Sequence, residues 1–330
     1  MDSFAKNNSE MAAGEQIKAL IKSHFDDEKE RFVTLSLQIA AHRARLGHTT
    51  LADDIKKIVD KHKVSLPRLK AFASDLQGLI IEREPDDRIN DLILSKELRE
   101  RIDRILLEFR QKDKLYRHGL SNRRKLLLAG PPGTGKTMTA SVIARETGLP
   151  FYTILIDKMV TKFMGETSAK LRQVFESISE KPGVYLFDEF DAIGSERGKD
   201  NDVGEMRRVL SSFLQFIEMD DSQSVIIAAT NNLNILDQAL FRRFDDVLTY
   251  TYPSVKETVA LLANKLTSFK GNYKLESIAD VALGLSHSEI TQACLDAIKD
   301  AILHDKNQVS KGELIKTIND RIIIYPPKQV

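Results

Sequence analysis

Short apolar runs alternate with helix-spaced apolar positions through the middle of the chain. The runs predict five buried strands, at residues 125–129, 151–155, 184–188, 225–230 and 247–250. Between them, apolar side chains recur every three or four residues, as in Leu171, Val174, Phe175 and Ile178, which is typical of amphipathic helices. This alternation indicates an α/β fold, a parallel sheet with helices on both faces.

Helical patterns without strands flank the alternating region. Residues 1–85 carry short amphipathic patterns that predict a small all-helical N-terminal domain and a linker, and residues 86–253 form the predicted α/β domain. Residues 254–330 predict a C-terminal helical lid. Three Ser–Glu pairs three residues apart are capping-box signatures that predict helix starts there, namely Ser254 with Glu257, Ser286 with Glu289, and Ser310 with Glu313.

Composition narrows the class of protein. The 330 residues are 42% hydrophobic and 29% charged, as in soluble globular proteins. The net charge of +1 gives no global field toward nucleic acid or anionic membranes. Cys294 is the only cysteine, which favours a reducing compartment. Neither a secretory signal nor an apolar run of about 20 residues is visible, so we expect a cytoplasmic protein without a membrane partner.

Residues 130–137 read Gly-Pro-Pro-Gly-Thr-Gly-Lys-Thr, between a predicted strand and a predicted helix. In this context the pattern G-x-x-x-x-G-K-[ST] is typical of a phosphate-binding loop. Lys136 is expected to reach the β- and γ-phosphates of ATP, and the Thr137 hydroxyl to bind Mg²⁺. The predicted nucleotide contacts of this segment are Pro132, Gly133, Thr134, Gly135, Lys136, Thr137 and Met138.

Two further strands end in polar residues that suit the same chemistry. The strand at 184–188 ends in Asp188 and Glu189, predicted to hold Mg²⁺ and to polarise the attacking water. The strand at 225–230 is followed by Asn231, whose amide could orient that water. Asp191 is interpreted as a surface or structural acid.

Arg242 and Arg243 are adjacent and follow a short helical pattern. Such a pair is compatible with surface salt bridges. It is equally compatible with arginines that reach the γ-phosphate bound by a neighbouring subunit, a known device in phosphoryl transfer.

Taken in order, GPPGTGKT, VYLFDEFDAI, IIAATNN and LDQALFRRFD resemble the AAA ATPase family over about residues 88–320. The resemblance implies a homo-oligomeric ring, usually a hexamer, with ATP bound between neighbours. Asp188 and Glu189 would act within one subunit, Asn231 would sense the γ-phosphate, and Arg242 and Arg243 would come from the next subunit.

Finer features of the resemblance point to particular branches. The adjacent arginine pair is similar to the spastin and katanin group. The segments NDVGEMRRVLSSFLQF and GLSHSEI resemble compact single-ring bacterial members often encoded beside a subtilisin-like protease, which predicts such a protease as a partner.

The resemblance also assigns residues to client and lid contacts. Lys162, Phe163 and Met164 correspond to a loop that grips an extended polypeptide in the central pore, although a core role for Phe163 is the alternative. Residues 198–203 are a candidate second pore loop. In the lid, His287 and Ser288 correspond to nucleotide contacts, with His287 standing where the family commonly has glycine.

The leading hypothesis is therefore an ATPase that remodels or threads a protein client. One alternative is a nucleic-acid loader or remodeller, disfavoured by the neutral charge and by the absence of arginine between Gly284 and Leu303, where several DNA-handling relatives carry one. The other is a non-catalytic ATP-dependent switch, which has little need of Glu189.

Overall fold

The computed structural model describes residues 18, 20–23, 29–45, 49–63, 72, 76, 78–162, 166–191, 200–232 and 241–326. The chain divides into two compact units, Met1–Lys70 and Ala71–Val330. In the first unit, helices α1 (Lys29–Arg45) and α2 (Thr49–Lys63) pack against each other. Ala40 of α1 and Ala52 and Val59 of α2 are buried, as expected for a helical pair that shares apolar faces.

The second unit contains a six-stranded sheet in the order β1-β3-β4-β5-β2-β6. The strands are β1 (Ile80–Arg83), β2 (Lys125–Ala129), β3 (Phe151–Leu155), β4 (Val184–Asp188), β5 (Val225–Thr230) and β6 (Asp246–Thr249). All neighbours pair in parallel except β1, which pairs with β3 in the antiparallel sense. The predicted α/β class is confirmed. Four predicted strands have the predicted bounds, and β6 both begins and ends one residue earlier than predicted.

Strand β1 has no counterpart among the predicted strands. The strand has only four residues, Ile-Ile-Glu-Arg, which is too few to show a clear alternation of apolar and polar positions. Only Ile80 among them is buried. The sequence places the start of the α/β domain at residue 86, whereas β1 already pairs with β3 at residues 80–83. The segment interpreted as linker therefore supplies the edge strand of the sheet.

Helices cover both faces of the sheet and explain the uninterrupted apolar strands. They are α3 (Lys96–Arg110), α4 (Lys112–Arg117), α5 (Lys136–Thr147), α6 (Ile156–Lys162), α7 (Thr167–Glu180) and α8 (Asp200–Met219). On one face, Phe175 of α7 and Phe213 of α8 pack with Phe187 of β4. On the other, α3 and α5 pack against the opposite side chains of the same strands, including Leu186 of β4 and Ile227 of β5.

A helical lid follows the sheet and has its own apolar core. Its helices are α9 (Val255–Leu266), α10 (Glu276–Ala279), α11 (His287–Leu303) and α12 (Lys311–Ile324), with a 3₁₀ turn at Thr267–Phe269. All three predicted capping boxes are confirmed, at Ser254, Ser286 and Ser310, each with both reciprocal hydrogen bonds. The cap at Ser286 places the start of α11 beside the phosphate loop.

Candidate nucleotide site

The loop between β2 and α5 has a backbone that requires glycine. Gly133 and Gly135 have φ angles of 72° and 101°, in the left-handed region that side chains rarely adopt. A Cβ at Gly130 would lie 2.3 Å from the carbonyl oxygen of Tyr250. The loop thereby turns sharply into the N-terminus of α5, where backbone N–H groups and the helix dipole favour a bound anion.

Lys136 lies at the centre of this loop with only 7% of its surface exposed. Its Nζ donates to the carbonyl oxygens of Gly130 and Pro131, at 2.8 and 2.9 Å, and to Oδ1 of Asn231 at 2.8 Å. Burial lowers the pKa of the Lys136 ammonium, and the charges of Asp188 and Asp191 oppose that shift. A cation held among neutral oxygens suits an anionic phosphate group, which would stabilise its charge more strongly.

Thr137 and Asp188 are brought together across the loop. The Thr137 hydroxyl donates to Oδ2 of Asp188 at 3.0 Å. A hydroxyl and a carboxylate fit Mg²⁺, which takes few protein oxygens and keeps water and phosphate oxygens as its other ligands. In the described part of the chain, no group of three or more histidine, cysteine or acidic side chains lies together in an arrangement that could hold a metal ion.

The turn after β4 carries Glu189 in a strained conformation. Its φ is 52°, uncommon for a residue with a side chain and costing about 1–3 kcal/mol. Its N–H donates to Oδ1 of Asp188 at 3.0 Å, and the next N–H, of Phe190, donates to the Ala229 carbonyl oxygen at 2.8 Å. Glu189 lines the same cleft as the phosphate loop.

Asp191 belongs to this arrangement, although the sequence suggests only a surface or structural acid. Its Oδ1 accepts the backbone N–H of Asn231 at 3.2 Å and lies 3.3 Å from the Thr230 hydroxyl. An available signal was its position three residues after Asp188, at the edge of the sheet where Asn231 also lies.

A cleft of about 480 Å³ is lined by the phosphate loop and by residues of the lid helices α9 and α11. All the predicted nucleotide-contact residues line it, from Pro132 to Met138, together with Asp188, Glu189, Asn231, His287 and Ser288. The lining residues that the motifs did not identify are Asp87, Asp91, Leu92, Ile93, Leu261, Lys265 and Thr291. They lie in the segment without regular secondary structure before α3 and in the lid helices, and no local sequence pattern there indicates a binding role.

The start of α11 contacts the phosphate loop directly. The Ser288 N–H donates to the Gly133 carbonyl oxygen at 3.0 Å, and Gly133 leaves no room for a Cβ beside the Ser286 hydroxyl. Both ring nitrogens of His287 are buried without a hydrogen-bond partner. Burial lowers the pKa of His287, and the charge of Glu257 opposes that shift.

Arg242 and Arg243 do not reach this cleft. They are exposed, and Arg243 forms an ion pair with Glu218 at the end of α8. They precede β6, whose start lies beside the start of β2, while the phosphate loop follows the end of β2. From Lys125 to Ala129 there are four steps of about 3.3 Å, which put the two ends of β2 roughly 13 Å apart.

Several of the residues predicted to contact a client lie outside the described part of the chain. Lys162 is the last residue of α6, while Phe163 and Met164 lie outside the described residues. Of the second candidate loop, residues 198 and 199 lie outside them as well, and residues 200–203 form the start of α8.

Comparison with known proteins agrees with this geometry. The family model described as "ATPase family associated with various cellular activities (AAA)" matches residues 126–252. Over 317 residues, the chain is 32% identical to an uncharacterised AAA family ATPase, y4kL, of Sinorhizobium fredii, covering 94% of this chain and 96% of the relative.

The chain belongs to the AAA ATPase family. As a member it is an ATP-binding ATPase. It is also 35% identical to the proteasome-activating nucleotidases of Saccharolobus solfataricus and Sulfurisphaera tokodaii, over 213 and 211 residues. Each match covers 61% of this chain, which spans about half the length of those nucleotidases.

Finer features of this AAA ATPase stay predictions. They are the spastin- and katanin-like arginine pair, the single-ring bacterial type and the subtilisin-like partner protease. The helices that the structure describes include none with the length and apolar character needed to cross a membrane.

Proposed function

We propose that this AAA ATPase assembles into a ring of six subunits, in which Arg242 and Arg243 of each subunit complete the ATP site of its neighbour. We also propose that the ring remodels or threads a protein client. The position of the two arginines is the observation that supports an ATP site shared between two subunits. They lie at the opposite end of β2 from the phosphate loop, too far to act on a nucleotide bound in their own chain.

In this proposal each residue at the cleft has a separate role in ATP hydrolysis. Lys136 binds the β- and γ-phosphates, and Thr137 and Asp188 hold Mg²⁺, which neutralises phosphate charge when bound. Glu189 accepts a proton from the attacking water, and Asn231 orients that water against the γ-phosphate. An arginine from the neighbour stabilises the charge that develops on the transferring group.

Mixing two inactive variants tests the shared site. Glu189→Gln and Arg243→Ala should each lose ATPase activity, the second by roughly 10³-fold, while both keep nucleotide binding. In a mixed ring, an Arg243→Ala subunit beside a Glu189→Gln subunit has an intact Glu189 of its own and an intact arginine from its neighbour. Mixtures should therefore recover activity, at about one interface in four for random assembly.

Two outcomes would contradict this arrangement. In the first, mixtures stay as inactive as their components although size measurements show that mixed assemblies form. In the second, Arg243→Ala alone hydrolyses ATP at the wild-type rate per subunit, independent of dilution.

A protein client is supported by the resemblance at Phe163 and by the relatives named proteasome-activating nucleotidases. Glu189→Gln should bind ATP without cleaving it and so retain its client. The test is recovery of that variant from cells with ATP, followed by nuclease treatment. A discrete protein retained only with ATP, and lost on Phe163→Ala, supports the proposal. Retained nucleic acid, with proteins released by nuclease, would instead favour a loader or remodeller of nucleic acid.

A further inference from the structure

The turn after β4 is attached to the neighbouring strand β5 at two places. The Phe190 N–H donates to the Ala229 carbonyl oxygen at 2.8 Å. One residue further on, Oδ1 of Asp191 accepts the Asn231 N–H at 3.2 Å and lies 3.3 Å from the Thr230 hydroxyl. Ala229 and Thr230 at the end of β5, and Asn231 directly after it, are thus held against two consecutive residues of the turn.

This attachment surrounds the strained residue of the site. Glu189 lies between Asp188, whose Oδ1 accepts its N–H, and Phe190, whose ring is fully buried 4.5 Å from the ring of Phe213. A left-handed conformation at a glutamate persists only where its surroundings hold it. The buried ring of Phe190 fixes the turn directly after Glu189, and the hydrogen bonds of Asp191 fix it one residue further along the chain.

The two sides of the attachment carry the two groups that are proposed to act on the attacking water. Glu189 belongs to the turn, and Asn231 belongs to the end of β5. The Asn231 side chain is committed at the same time to Lys136, with Oδ1 accepting from Nζ at 2.8 Å. The backbone of Asn231 therefore sets where its amide lies relative to both the phosphate loop and Glu189.

We propose that Asp191 is a positioning residue for ATP hydrolysis, whose carboxylate fixes the backbone of Asn231 relative to the turn that carries Glu189. The inference rests on the proposed function, since it takes from there the roles of Glu189 and Asn231. Asp191 itself touches neither the phosphate loop nor any atom proposed to react.

The geometry separates a hydrogen-bonding role from a role of charge. A single oxygen of Asp191, Oδ1, faces both partners. The amide oxygen of asparagine can occupy the same place, so Asp191→Asn should keep kcat within about threefold of wild type. Asp191→Ala removes the acceptor and should lower kcat by about 10–100-fold with nucleotide affinity unchanged, as expected for misplaced catalytic groups.

A double-variant cycle tests whether Asp191 acts through Asn231. Asn231→Ala removes the amide that Asp191 is proposed to position. The loss of kcat in Asp191→Ala with Asn231→Ala should therefore be clearly smaller than the product of the two single losses. A loss equal to that product would overturn the inference, because the two residues would then act independently.

Controls keep the outcomes distinct. Glu176→Ala removes an exposed acid from α7 and should leave kcat unchanged. Asp191→Ser serves the same purpose as Asp191→Ala if the alanine variant folds poorly, since its hydroxyl is too short to replace the carboxylate. Wild-type kcat in the alanine and serine variants, or equal losses in the asparagine and alanine variants, would overturn the inference.

The same measurements separate this inference from the proposed function. If Glu189→Gln still turns over ATP, the proposed function fails whatever the Asp191 variants do. If Glu189→Gln is inactive while Asp191→Ala hydrolyses ATP at the wild-type rate, only the positioning role of Asp191 fails.

Discussion

The two ends of the parallel strands contrast sharply in this protein. At the carboxyl end, Lys136 donates a hydrogen bond to Asn231 and Thr137 donates one to Asp188, and all four residues line a single cleft. At the amino end, Arg242 and Arg243 are exposed, and Arg243 pairs only with Glu218 of the same subunit among the described contacts. Folding of one chain therefore assembles the phosphate-binding residues, whereas the two arginines contribute to an ATP site only in the proposed assembly, through a neighbouring chain.

The largest expected effect on ATPase activity comes from two single variants at the carboxyl end of the strands and from a mixture of the two proteins. Lys136→Ala and Glu189→Gln should each reduce turnover by about 10²–10⁴-fold. A mixture of the two should stay at background, because every interface then lacks one residue that its own subunit must supply. ATPase assays of the mixture across a range of ratios measure this.

Arg243→Ala mixed with either variant provides the contrast, since it should restore activity. If the Lys136→Ala and Glu189→Gln mixture recovered activity equally well, the proposed division between the two ends of the strands would be wrong.

Gly130→Ala tests how strongly the phosphate loop at the carboxyl end of the strands contributes to the stability of the fold. A methyl group would lie 2.3 Å from the Tyr250 carbonyl oxygen, so the free energy of unfolding should fall by about 3 kcal/mol or more. Gly312→Ala in α12 meets no atom within 4 Å and should raise that free energy by about 0.5 kcal/mol, since alanine favours helix. Urea denaturation of the nucleotide-free protein measures both. Equal effects of the two substitutions would show that the loop relaxes away from β6.

The carboxyl end should also respond to pH through His287, whose folded-state pKa is lowered by burial from its ordinary value of 6.5. Between the lowered pKa and 6.5 the unfolded chain binds more protons, so the free energy of unfolding falls as the solution is acidified through this window. His287→Leu removes this dependence. The advantage of the leucine variant over wild type should therefore grow from pH 7 to pH 5.5 in parallel denaturation curves; a constant difference would contradict the burial.

The smallest effect is expected at the amino end. The side chains of Arg243 and Glu218 are 40% and 56% exposed, and ion pairs with such exposure contribute about 0–1 kcal/mol. Glu218→Gln should leave the free energy of unfolding within about 0.5 kcal/mol of wild type and change ATPase activity by less than about threefold. A loss of stability well above this range would show that folding also holds the arginine end in place.

Strong local patterns explain which elements the sequence predicts. Strands β2 to β5 are almost wholly buried, so their runs of apolar residues stand out in the sequence, and the phosphate loop has its characteristic glycines and lysine. The capping boxes at Ser254, Ser286 and Ser310 each involve residues only three apart, so sequence spacing alone locates them.

What the sequence does not predict depends on long-range contacts. Strand β1 is defined by its pairing with β3, more than sixty residues away, and not by a pattern of its own. Leu92 and Ile93, which precede α3, and Leu261 of α9 line the same cleft although about 170 positions separate them in the sequence. Asp191 resembles any surface acid until β5 is placed beside β4.

Strand β1 has a practical consequence for anyone shortening this protein. A fragment starting at residue 86 would uncover the edge of β3, with its row of free backbone N–H and carbonyl groups and the apolar side chains of Phe151, Tyr152 and Ile154. Uncovered edges of this kind recruit strands from other molecules and promote aggregation. A fragment starting at Ala71 keeps the edge protected, so its yield in soluble form should exceed that of the shorter fragment.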